Sequence, residues 1–165
     1  MRVYLPVTSS GLRQLADNGT VGPAPLTAFA VTPALREWYL DDDLEALEYA
    51  AMSEAARASL RLLDADGTAA RRRVVLAIDA ADTAVHIRDD LDRGVVHLSE
   101  PVPLAAVASV HADDADAQDA VAAAAGAIVA ADLGDPAAQE LVDDAEGFEL
   151  AWYANQEIGE FLAGL

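Results

Sequence analysis

Leu26-Thr27-Ala28-Phe29-Ala30-Val31-Thr32-Pro33 is the stretch that decides how this chain is read. Leu26 to Val31 is a continuous apolar run, suited to a strand buried inside a sheet. Thr32-Pro33 then starts a helix. The threonine hydroxyl can cap it, and proline at the first helical position loses no hydrogen bond. Upstream, Val3, Leu5 and Val7 alternate against Tyr4 and Pro6, so Arg2 to Val7 reads as a strand, with Pro6 at an edge or at the strand's end. Thr8, Ser9 and Ser10 offer caps for a short helix, Leu12 to Asp17, which Asn18-Gly19 stops. Gly22-Pro23-Ala24-Pro25 is loop. A strand, a helix and a strand within about 30 residues predict a βαβ unit with parallel strands joined right-handedly.

Downstream, a short helix runs from Pro33 to Leu40. Asp41-Asp42-Asp43 places negative charge at the start of a longer one, Leu44 to Leu63. Leu44, Leu47, Ala51, Ala55, Ala58 and Leu62 form its apolar stripe. Tyr49, Met52, Ala56, Leu60 and Leu63 widen it, so that helix is expected to be mostly covered. Val74 to Ile78 has the look of a central strand buried on both faces. Thr83 to Arg88 and Gly94 to Ser99 are two strands that Asp89 to Arg93 can close into a hairpin. Ala106 to Ala112 reads as a further strand, followed by an alanine-rich helix to Ala131. Gly134-Asp135-Pro136 ends one helix and starts the next. Ala138, Leu141, Ala145, Phe148 and Trp152 step by three and four, which predicts a last helical segment that Gly147 breaks or weakens. There are no internal repeats and no long linker. The expected fold is one α/β domain over residues 1–165, a mixed sheet of roughly four to six strands covered by helices.

The chain has 165 residues, and its 42 Leu, Ile, Val and Phe residues are enough to build a core. It carries 29 acids against ten bases, all arginine, for a net charge of −19. So acidic a chain is no general nucleic-acid binder and is not drawn to anionic membranes. With no cysteine, there is no disulfide, thiolate nucleophile or Cys-ligated zinc. The N-terminus lacks the apolar run and cleavage site of a signal peptide, and Ala115 to Ala131 is too polar for a membrane span. A soluble cytoplasmic protein is expected. Missing lysine and abundant Ala, Asp and Arg fit a GC-rich genome better than a salt-adapted proteome.

Charge is divided along the chain. The last base is Arg93; residues 94–165 hold 14 acids and no Lys or Arg, whereas residues 1–93 hold 15 acids and ten bases. Three counterparts for the acidic C-terminal helices stand open: the chain's own arginines, a second copy, or a foreign basic surface.

Few residues suggest chemistry. Arg71-Arg72-Arg73 is the basic run. With the strand-to-helix turns at Thr8 and Thr32 it makes a candidate phosphate or carboxylate site, though pairing with the acidic half and simple helix capping explain the same residues. Arg57 and Arg61 have Glu54 and Asp64 in reach at i, i+3 spacing. His86 and His97 would face each other across the hairpin, and His111 lies near Asp113, yet the close spacings of a metal site are missing. No metal or cofactor is expected. There is no Gly-x-Ser-x-Gly, His-Glu-x-x-His or P-loop pattern. Trp38-Tyr39 and Trp152-Tyr153 sit at helical positions beside acids; where they are exposed they become interface anchors.

Met1 to Pro6, Ala28 to Tyr39, Glu48 to Ala51, Asp143 to Leu150 and Trp152-Tyr153 resemble a family of small uncharacterised proteins of GC-rich Gram-positive bacteria (actinobacteria), catalogued as a domain of unknown function. The resemblance implies an intracellular bacterial protein and brings no activity or catalytic residue. Two functions follow from the residues. One is a non-enzymatic binding or regulatory protein that sets its acidic helical face against a basic partner or acts as a homo-oligomer. The other is a small enzyme or anionic-ligand binder with a pocket near Arg71 to Arg73.

Overall fold

A computed structural model describes residues 1–40 and 42–165; Asp41, one of the three aspartates expected ahead of the long helix, lies outside the described residues. Seven strands form one antiparallel sheet in the order β5-β6-β3-β1-β4-β8-β9. They are β1 (Arg2–Val7), β3 (Leu26–Phe29), β4 (Val74–Asp79), β5 (Val85–Ile87), β6 (Val95–Leu98), β8 (Val107–Ala112) and β9 (Ala151–Tyr153). Two short strands, β2 (Thr20–Val21) and β7 (Val102–Pro103), pair beside it. The helices are α1 (Ser9–Asn18), α2 (Pro33–Tyr39), α3 (Leu44–Ala65), α4 (Gln118–Asp132), α5 (Pro136–Glu146) and α6 (Ile158–Ala163). The chain is thus a mixed α/β domain. None of these helices is long and apolar enough to cross a membrane.

The opening unit differs from the expected βαβ. β1 and β3 are neighbours but antiparallel, with Tyr4 opposite Phe29. The reason lies between them. A ten-residue helix carries the chain away from the end of β1 for about 15 Å. Gly19, in the left-handed region at φ 76, stops it, and β2 with the proline loop after it returns the chain to the end it left. The parallel crossover comes later: β3 and β4 are both antiparallel to β1 and flank it, so they run parallel to each other, joined through α2 and α3.

Period-two alternation divides the sheet into two faces. Val3, Leu5 and Val7 of β1, with Val74, Leu76 and Ile78 of β4, pack against Leu12 and Leu15 of α1 and Ile158, Phe161 and Leu162 of α6. Tyr4, Phe29, Val75, Ala77 and Val95 point the other way, under Leu35 of α2 and Ala51, Ala55 and Ala56 of α3. Val74 to Ile78 is buried on both faces, as its unbroken apolar run predicts. Alanines on α3 let its backbone lie close to the sheet. The end of α3, through Leu60 and Leu63, forms a third cluster with Val121, Ala124 and Ile128 of α4 and Ala138, Val142 and Ala145 of α5. This double duty moves the buried stripe of α3 away from the expected one. Leu44, Tyr49 and Leu62 are exposed, while Ala50, Ser59 and Leu60 are buried.

The hairpin forms as read, with His86 opposite His97. The C-terminal helix does not extend as read. α5 ends at Glu146, Gly147 caps it, and Ala151 to Tyr153 pairs with β8, so Trp152 lies opposite His111 on an edge strand. The three- and four-residue spacing from Ala138 to Trp152 continues across that break by coincidence.

Candidate functional site

α3 crosses the sheet with α2 on one flank and the α4–α5 pair on the other. Its outer side lines a cleft of about 810 Å³ that reaches from Tyr39, Tyr49 and Arg93 to Gln139, Glu146 and Leu150. One wall is ionic. Arg61 grips Asp132 with two prongs, Nε donating to Oδ2 at 2.7 Å and Nη2 to Oδ1 at 3.0 Å. Arg57 donates to the same carboxylate at 3.2 Å and to Gln139 Oε1 at 3.1 Å. The hydrogen bond from Arg61 holds the Asp132 carboxyl below the usual carboxylate range, against the opposing effect of burial. Glu54 and Asp64 were the expected partners of these arginines. The long-range partner wins because the start of α5 and the end of α4 pack beside α3, and a planar carboxylate there matches the guanidinium fork.

The other wall is aromatic. The Arg93 guanidinium lies over the Trp38 ring, 3.8 Å from its centroid. Tyr39 and Tyr49 stand in the same wall. Between the walls sits Glu54, half-buried. Among the described residues it has no hydrogen bond or ion pair, and burial pushes its carboxyl up, helped by the negative charge of Asp92.

Arg71 and Arg73 are spent on the fold, while the Nε of Arg72 has no partner among the described residues. Arg71 donates to the carbonyls of Leu63, Asp66 and Ala69 and so closes the C-terminal end of α3. Arg72 donates to the Asp113 carbonyl at 3.1 Å. Arg73 is buried, holding the Asp113 carboxylate and the Phe148 carbonyl. Thr8 holds the N-cap position of α1, without a side-chain capping bond, at the same end of the sheet, since Val7 faces Val74 there. Thr32 lies at the opposite end, beyond Phe29, which faces Tyr4. Its hydroxyl donates to Asp89 Oδ1 at 2.7 Å and accepts from the amides of Leu35 and Gly94 at 3.3 and 3.1 Å. These five residues are therefore not brought into one pocket; of them, only Arg73 lines the cleft.

His86 and His97 lie on the β5–β6 hairpin, while His111 is on β8, across β3, β1 and β4. Among the described residues, no three His, Asp or Glu side chains are grouped to hold a metal ion. His111 instead has Ser109 Oγ 2.9 Å from its Nε2. Trp38 and Trp152 are both 62% exposed. Tyr153 packs on Phe161 and donates its hydroxyl to Asp114 at 3.1 Å.

Sequence reasoning missed the cleft as a unit. Tyr49, Glu54, Asp132 and Gln139 carry no motif and come from three helices. The available signal was the row Tyr49, Ser53, Arg57 and Arg61 at helical spacing, a polar stripe on one side of α3. A family profile, that of a family of unknown function (DUF6912), matches residues 1–162. No curated protein and no solved structure matches the chain.

Proposed function

The chain belongs to DUF6912, a family of unknown function, and we propose that it is a non-enzymatic binding or regulatory protein whose acidic helical face meets a basic protein surface. One observation carries this reading. Of the 14 acids after Arg93, Asp113, Asp132 and Glu146 meet the chain's own arginines among the described residues. Glu140, Asp143 and Asp144 on α5, Asp119 in the first turn of α4 and Asp116 just ahead of it face solvent. The arginines beside these helices, Arg57, Arg61 and Arg73, are committed, so this surplus charge is available to an outside partner. A second copy would set like charge against like charge, which favours a foreign basic surface. The enzyme or anion-binding reading centred on Arg71 to Arg73 has less support, because Arg71 and Arg73 already hold internal acceptors.

The test is affinity capture at low and high salt with the wild-type chain and with a Glu140→Gln, Asp143→Asn, Asp144→Asn variant, alongside sedimentation velocity. The expected result is a basic partner held by the wild type at low salt, released at high salt and lost with the variant. Capture of nothing at low salt, with a strictly monomeric sedimentation profile, overturns the reading.

A further inference from the structure

The corner where α2 gives way to α3 exposes Trp38, Tyr39, Leu40, Leu44 and Tyr49, with Leu40 91% exposed. Soluble domains rarely leave so many large apolar side chains open at one corner without use. Tryptophan and tyrosine are also the residue types that dominate binding energy at interfaces. The corner runs into the cleft, because Tyr39 and Tyr49 line it and Arg93, resting on Trp38, lines it too. Glu37, Asp42 and Glu45 are exposed around the corner beside one exposed base, Arg36. Inside, Arg57 and Arg61 are taken up by Asp132 and Arg93 by Asp92, which leaves Glu54 as the half-buried carboxylate without an ion pair among the described residues.

We propose that this corner and cleft seat a basic amphipathic segment of a partner protein, its apolar side chains on Trp38, Leu40 and Leu44, and an arginine or lysine entering between Tyr39, Tyr49 and Glu54. The inference rests on the binding reading above and adds the site and the kind of segment it takes. Complementarity selects the occupant. A second copy would bring its own net charge of −19 against an acidic corner, and a nucleic acid would meet the same repulsion. A cation is already stabilised here by an aromatic face, since Arg93 lies on Trp38. Glu54 is a half-buried carboxylate without an ion-pair partner among the described residues, and an entering guanidinium or ammonium would supply one.

The experiment measures, by fluorescence anisotropy, the affinity of a synthetic amphipathic arginine–leucine peptide and of an oligo-arginine peptide. The proteins are wild type, Glu54→Gln, Tyr49→Ala and the α5 variant Glu140→Gln, Asp144→Asn, each with its thermal midpoint. The amphipathic peptide is expected to weaken about tenfold with Glu54→Gln and with Tyr49→Ala. Glu54→Gln is also expected to raise the thermal midpoint, because it removes a half-buried charge. Affinity falling while stability rises is a signature that a merely structural role would not give. If both substitutions leave the amphipathic peptide unchanged while the α5 variant weakens both peptides, the cleft is not the seat and the acidic-face reading stands. If neither peptide binds the wild type at low salt, both fall.

Discussion

Arg73 and Asp113 close a two-pronged ion pair out of reach of water: Nε donates to Oδ2 at 2.9 Å and Nη2 to Oδ1 at 2.8 Å, and the same Oδ2 accepts from the Arg73 amide at 2.8 Å. The pair ties the start of β4 to the end of β8, where the chain leaves the sheet for α4. Removing one member strands the other charge in the interior, which costs about 3–5 kcal/mol. Asp113→Ala is therefore expected to lose that much in urea denaturation, whereas Arg73→Met with Asp113→Leu recovers most of it. Equal losses for the single and double variants would show that the pair matters through shape and not through charge.

Thr32 is fully buried and its hydroxyl serves three partners. Thr32→Val keeps the volume and removes the hydroxyl. It leaves the Leu35 amide without its cap and takes one of three donors from Asp89, which keeps the amides of Ala34 and Gly94, an expected loss of about 1–3 kcal/mol. Chemical denaturation measures it. Thr8→Val is expected to cost much less, since the Thr8 side chain makes no capping bond.

Asp132 sits below the ordinary carboxylate range because Arg61, and then Arg57, hold its charged form. Its contribution to stability is present above the unfolded-state value and is lost as pH falls through the lower folded-state value. Asp132→Asn is thus expected to reduce stability at neutral pH and to flatten the acid limb of a stability–pH curve. Parallel curves for the variant and wild type would contradict this.

His111 is held below the usual imidazole value by burial, and secondarily by the positive charge of Arg2. The unfolded chain then binds a proton that the folded chain resists. Stability is expected to fall as pH drops from the ordinary histidine value to the lower folded one, and to be level above it. His111→Gln should remove that slope, since its amide reaches the Nε2 position beside Ser109 and carries no titrating group.

With a net charge of −19, the folded chain repels itself. Adding sodium chloride should screen that repulsion and raise the thermal midpoint by several degrees, even though it weakens exposed pairs such as Arg2–Asp79. A scanning calorimetry series in salt reads this directly, and a midpoint that falls with salt would mean that the pairs dominate.

What the sequence showed of this fold followed from local physics. The run Val74 to Ile78, the Thr32-Pro33 helix start and the His86–His97 hairpin each rest on neighbours a few residues away, and the structure has all three. The direction of β3 was not local. It depends on how far α1 and the proline loop carry the chain before it turns back, and a short helix is compatible with either direction. Trp152 was misplaced because spacing alone does not register that Gly147 ends α5 and that β8 has a free edge. The cleft was invisible for the same reason: Tyr49, Asp132 and Glu146 meet only after α4 and α5 dock on α3.

β1, at the start of the chain, lies in the middle of the sheet, between β3 and β4. Its second neighbour is complete only at Asp79. At about 5–20 residues per second of synthesis, seventy residues is several seconds of growth. During that interval one edge of a strand carrying Val3, Leu5 and Val7 stays open. The molecule is thus exposed early to pairing with the wrong strand. The relief comes from chain order: α1, which packs on the Val3, Leu5 and Val7 face, and α3, which packs on the Tyr4 face, are both complete before β4 arrives to seal the edge.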